Sequence, residues 1–106
     1  MRVIGIDSST SAGGVALFED GIVVADYTLE LTTTHSERLL PALEKVMADA
    51  EWDKQSVSGI AVAKGPGSFT GLRIGIATAK ALAYGWQVPV IGVSTLEALA
   101  WQVGWA

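Results

Sequence analysis

The 106-residue sequence has no cysteine, one histidine, and 7 basic side chains against 11 acidic ones. The absence of cysteine excludes disulfides and thiolate metal sites and makes a reducing cytosol the default compartment. One histidine, His35, with no second histidine and no carboxylate pair beside it, does not build a metal centre. A formal charge of −4 argues against this chain as the main contact for DNA or RNA, since that affinity comes from clustered Lys and Arg. Nucleic acid is then met through a partner. No run approaches the roughly 20 apolar residues of a membrane span. The opening MRVIGIDSST reaches an acid at Asp7, too early for a secretory apolar region. The length allows one domain, because a chain of this size buries roughly 60–70% of its unfolded surface, enough for one core and no separate substrate domain. The closing QVGWA leaves Trp101, Val103 and Trp105 without cover, which reads as a fragment of a longer protein or a contact to a second chain.

What is present is half apolar and strongly patterned. Arg2 to Ile6 is a β-branched run ending at Asp7, the turn-rich SSTSAGG follows, and Val15 to Phe18 reads as a second strand. Asp20-Gly21 between apolar runs predicts a hairpin returning along Ile22 to Leu31. Thr34 with Glu37 fits a capping box, and Leu39, Leu40, Leu43, Val46, Met47 and Ala50 recur at helical spacing. Pro41 lies inside that pattern and predicts a kink or a start nearer Ser36 to Pro41. Ser58 to Ala63 is a buried strand, Thr70 to Tyr84 an alanine-rich helix, Val88 to Val93 another buried strand, and Ser94 or Thr95 caps a last helix from Leu96. The order β β β α β α β α predicts an α/β fold of ribonuclease H-like layout, a mixed five-stranded sheet flanked by helices.

Three constellations carry possible chemistry. Asp7 with Ser8, Ser9, Thr10 and Ser11, at the end of the first strand, offers a carboxylate for a hydrated divalent ion and hydroxyls for phosphate, although such residues commonly serve only to satisfy a turn's own backbone groups. In KGPGSFTGLRIG, Gly65 and Gly67 permit a sharp turn after a strand. Ser68 or Thr70 then caps a helix whose amide end favours an anion. No Gly-Lys-Ser/Thr follows, so this is not a Walker loop, and a tight connection without ligand explains it equally. Gly71, Gly75 and Ala79 make one nearly bare helix face, although each glycine costs about 1 kcal/mol in helix propensity against alanine. A bare face serves close packing, either on the chain's own sheet or, with Leu39, Leu43 and Met47 of the preceding helix, against a partner. His35 beside Thr34 and Ser36 reads as a helix-entry residue. No set of nucleophile, base and orienting group can be assembled.

Taken in order, IGIDSSTSAGGVAL, THSERLLPALEKVM, IAVAKGPGSFTGLRIGIATAKALA and VPVIGVSTLEALA resemble the N-terminal half of the TsaB (YeaZ) family, bacterial proteins needed to make threonylcarbamoyladenosine in tRNA. The resemblance covers essentially the whole chain, and GPGSFTGLRIG is its specific part. It implies one ribonuclease H-like domain over residues 1–106, of the actin and Hsp70 type, with a second domain missing. The paralogous TsaD family shares the GPG loop but carries two metal-binding histidines after the next strand. Thr95 and Leu99 stand at those positions here, and neither can replace an imidazole.

The resemblance therefore implies a non-catalytic scaffold with no resident metal or cofactor. ATP, ADP or magnesium would bind weakly, and only with the second domain or in the complex. The implied partner is TsaD, with the ATPase TsaE in a larger assembly, TsaC making the donor, and a homodimer in isolation. The implied contact surface is the two helices, through His35, Leu39, Leu43 and Met47 on the first and Thr70, Gly71, Arg73, Ile74, Gly75, Thr78, Ala79 and Leu82 on the second. A bulky residue at Gly75 is expected to weaken association while leaving the sheet folded. Two rivals compete. A two-metal nuclease would take Asp7 as first ligand, yet Lys64 stands where the fourth strand should deliver another acid. A nucleotide-binding kinase-like fragment would need the adenosine site of the absent half.

Overall fold

The computed structural model describes residues 1–8, 13–28, 36–65 and 69–94. Five strands form one sheet: β1 (Arg2–Asp7), β2 (Gly14–Glu19), β3 (Ile22–Thr28), β4 (Gly59–Ala63) and β5 (Val90–Val93). Two α-helices, α1 (Ser36–Asp49) and α2 (Phe69–Trp86), and a 3₁₀ turn at Lys54–Ser56 complete the order among the described residues. The strands lie in the order β3-β2-β1-β4-β5. β1 to β3 form an antiparallel meander, whereas β4 and β5 run parallel to β1. This is the ribonuclease H-like α/β arrangement expected from the order of elements. The predicted last helix from Leu96 lies outside the described residues.

Side chains alternate across a strand, so register decides which residues share a face. Ile4 is opposite Leu17 on one side and Ile60 on the other, and Ile6 is opposite Val15 and Val62. All six are buried, and they form a continuous apolar floor. Leu39, Leu43, Val46 and Met47 of α1 and Ala79 and Ala83 of α2 close over it, with Trp52 and Val57 from the connection between α1 and β4. Both described helices thus cover one face. On the other face the corresponding positions are small: Gly5 lies opposite Ala16 and Ala61. A methyl on Gly5 would come within 2.9 Å of the Phe18 ring, so the absent side chain lets that ring lie across β1.

The hairpin between β2 and β3 turns through Asp20 (φ 53°) and Gly21 (φ 83°), the two positive φ values of a tight turn that matches strand twist. The N-terminal amine sits 2.5 Å from Asp20 Oδ1. Its hydrogen bond, and then its charge, hold the Asp20 carboxyl below the usual carboxylate range. The folded value is depressed, so this contribution is present above the unfolded carboxyl's pKa and is lost as pH falls through the folded one. At the same end of β1, Arg2 donates to Glu19 at 2.6 Å and Ser56 at 3.0 Å, and its guanidinium lies 4.8 Å from the centre of the Trp52 ring. One side chain thereby joins β1, β2 and the connection into β4.

Both helices end by the same device. After α1, Trp52 N–H donates to the Met47 carbonyl and Glu51 N–H to the Ala48 carbonyl. After α2, Val88 N–H donates to Ala83 and Gln87 N–H to Tyr84. These are Schellman closures with an apolar residue, Trp52 or Val88, turned back onto the core. The left-handed position, usually glycine, is Glu51 (φ 58°) in one and Gln87 (φ 56°) in the other. The second helix therefore runs past the predicted end at Tyr84 to Trp86. A non-glycine residue pays about 1 kcal/mol in that conformation. Glu51→Gly and Gln87→Gly should each stabilise the fold by about 0.5–1 kcal/mol, read as a higher urea midpoint at unchanged slope.

Candidate functional site

Parallel strands β1, β4 and β5 end on one side of the sheet, at Asp7, Ala63 and Val93. β1 is also where the order reverses, with the meander on one flank and the crossover strands on the other. Ligands of open α/β sheets bind outside the strand ends at such a switch point. Here the ends deliver Asp7, Ser8, Lys64 and Gly65.

The structure parts two of these residues. Asp7 continues the face of Gly5 and lines a cavity of about 170 Å³ on the face away from the two helices, together with Ala16, Phe18, Asp26 and Ala61. Ser8 continues the face of Ile4 and Ile6 and is 2% exposed. A methyl on Gly75 would overlap Ser8 Oγ and lie 3.2 Å from Ser8 Cβ and 3.7 Å from Ile6 Cγ2. The expectation that Ser8 offers its hydroxyl to phosphate is therefore corrected, because strand alternation turns it under α2. Ser9, Thr10, Gly67 and Ser68 lie outside the described residues. Gly65 is half-buried with φ 124°, which accounts for glycine after β4. The Lys64 stem crosses β5 at Gly92, where an added methyl would meet its Cδ at 3.0 Å. Among the described residues, no three His, Cys, Asp or Glu side chains stand together in a way that could hold a metal ion.

The helix surface is also redistributed. Leu39, Leu43 and Met47 are core residues, and Gly75 and Ala79 face the sheet, Ala79 at 0% exposure. The Gly75 and Ala79 part of the bare stripe thus serves packing within the chain, and these five residues are not the exposed contacts that the resemblance implied. The reason is that α2 crosses the ends of β1 and β4 closely enough to leave room for only hydrogen or methyl. Leucine at position 75 would strike Ser8 and Ile6, so that substitution would disturb the fold and not association alone. Ile74 and Leu82 are half-buried against the core, Thr78 is half-buried with its hydroxyl donating to the Ile74 carbonyl at 2.8 Å, and Arg73 is exposed. Thr70 and Gly71 are helical, and His35 lies outside the described residues.

The outer side of α2 instead presents Arg73, Ala77, Lys80, Ala81 and Tyr84, the last 80% exposed, and α1 presents Leu40 at 44%. Sequence reasoning passed over Tyr84 and Ala77. Their spacing of nine and two from Gly75 places them near the opposite side of a helix with 100° per residue, which is the signal that finds them. Two glycines of α2, Gly75 and Gly85, make a matched test. Gly85 has open space around it, so Gly85→Ala should raise stability by up to about 1 kcal/mol through propensity. Gly75→Ala should lower stability despite the same gain, and both signs can be read from urea unfolding.

Comparison with known proteins supplies a context for this geometry. Residues 27–105 match the family model described as TsaD: tRNA N6-adenosine threonylcarbamoyltransferase. The Bacillus subtilis (strain 168) tRNA threonylcarbamoyladenosine biosynthesis protein TsaB is 43% identical over 100 residues, which are 94% of this chain and 44% of that protein. YeaZ from Pseudomonas aeruginosa superposes with a TM-score of 0.82 at 33% identity, over 97% of this chain and 49% of that one. The chain thus spans about half the length of these relatives. RuvC from T. thermophilus, solved with a Holliday junction substrate, has a TM-score of 0.61 at 14% identity over 92% of this chain and 66% of that one, a likeness of fold alone.

Proposed function

Since the chain belongs to the TsaD-type family and, within it, to the TsaB (YeaZ) branch, we propose that it is a non-catalytic subunit in the synthesis of tRNA N6-threonylcarbamoyladenosine, binding and activating TsaD in the cytoplasm. The observation that carries this reading is the division of α2: its inner side is consumed by the chain's own sheet, while its outer side offers Arg73, Ala77, Ala81 and Tyr84. A small-residue helix face with one large exposed aromatic suits close docking of another helix, and aromatic anchors dominate such contacts. The same face would support a homodimer when TsaD is absent. By the resemblance, Thr95 and Leu99 stand where the TsaD branch carries its histidine pair, which would leave metal-assisted chemistry to the partner. With few basic residues on this chain, tRNA is met through the complex.

Mixed with TsaD, the chain should co-elute as a complex, and Ala77→Glu and Tyr84→Glu should each weaken binding at least about tenfold with unchanged circular dichroism. Absence of a complex with the wild-type chain, or wild-type affinity in both folded variants, would overturn the reading. Titration of ATP with magnesium into the chain alone should show no saturable micromolar binding, and the chain alone should transfer no threonylcarbamoyl group to tRNA.

A further inference from the structure

We propose that Ser8 is a positioning residue for the outer face of α2, acting through Gly75; this rests on the partner-binding reading above. Ser8 is the one buried polar side chain among the described residues, and it stands in line with Ile4 and Ile6 at the end of the central strand. Gly75 is the point of α2 directly over it, with no side chain to hold the helix away. The height of α2 above the end of β1 is therefore set by the size of residue 8. Arg73 and Ala77 flank Gly75 by two residues, about 200° round the helix on either side, and both are exposed. A change at the Ser8–Gly75 contact moves these outward residues although neither touches it. Thr78, tied by its hydroxyl to the Ile74 carbonyl, travels with the same turn.

The sterics define a compensating pair. An added methyl at Gly75 meets Ser8 Oγ first, Ser8 Cβ at 3.2 Å and Ile6 Cγ2 at 3.7 Å. Removing the residue 8 side chain clears the first two contacts and leaves an ordinary van der Waals distance to Ile6. In Gly75→Ala the helix must lift or turn, whereas Ser8→Gly combined with Gly75→Ala returns it to its seat.

The test uses two readouts on the wild-type chain, Ser8→Gly, Gly75→Ala and the double variant: affinity for TsaD, and backbone amide chemical shifts of Arg73 and Ala77 by NMR. Gly75→Ala should bind TsaD at least tenfold more weakly and displace both amide signals. The double variant should bind within threefold of wild type, with both signals back near their original positions. Unmoved signals in a folded Gly75→Ala, or displaced signals and weak binding that persist in a folded double variant, overturn the role of Ser8. Failure of the wild-type chain to bind TsaD instead overturns the partner reading, and the amide shifts still decide whether Ser8 sets the helix.

Discussion

The structure hangs on β1. Among the described strands it alone has an antiparallel neighbour on one side and a parallel neighbour on the other, so the registers of meander and crossover units are both referred to it. Its two isoleucines, Ile4 and Ile6, are each flanked by apolar residues from β2 and β4 and covered by helices. Because side chains alternate with a period of two, that apolar pairing leaves a single solution: a slip of one residue would present Gly5 and Asp7 to the helices. Once β1 is fixed, the face met by each residue at its C-terminal end follows, including the parting of Asp7 from Ser8.

That parting ties the end of the sheet to the helix surface. One residue of the pair faces the cavity on the far side, and the next bears on α2. The central strand thus communicates with the presented face of α2 through a contact that only a missing side chain allows. Small residues on the far face, Gly5, Ala16 and Ala61, perform a comparable service for Phe18, whose ring crosses the strand there.

Much of this was legible in the sequence, for physical reasons that also mark the limit. The β-branched runs, the Asp20-Gly21 turn and the spacing of Leu39, Leu43, Val46 and Met47 are local signals, and they identified every described strand and both described helices. The end of α2 was not legible, because its left-handed closing residue is Gln87 where pattern reading looks for glycine. The stripe of Gly71, Gly75 and Ala79 announced a close approach but not the approaching group, since propensity and spacing carry no information about which side of a helix meets its own sheet. The burial of Ser8 could have been read: it falls two residues after Ile6, and alternation assigns both to the same side. Its membership of a hydroxyl-rich cluster drew attention to chemistry instead. The short 3₁₀ turn at Lys54–Ser56, capped by Asp53, escaped notice because three residues show no period.

The pairing of β1 with β4 has a temporal side. Arg2 and Ser58 hydrogen-bond across 56 residues of chain, whereas β2 and β3 follow β1 almost at once. At roughly 5–20 residues per second on the ribosome, the meander, finished at Thr28, waits about 2–7 s for β4 to end at Ala63. Through that interval β1, the central strand of the finished sheet, has an unpaired edge, the situation in which strands find unintended partners. The residues of the tight turn at Asp20-Gly21 and of the ion pair of Met1 with Asp20 all precede α1 in the chain. The earliest segment is thus held together by its own contacts while its permanent neighbour is still being synthesised.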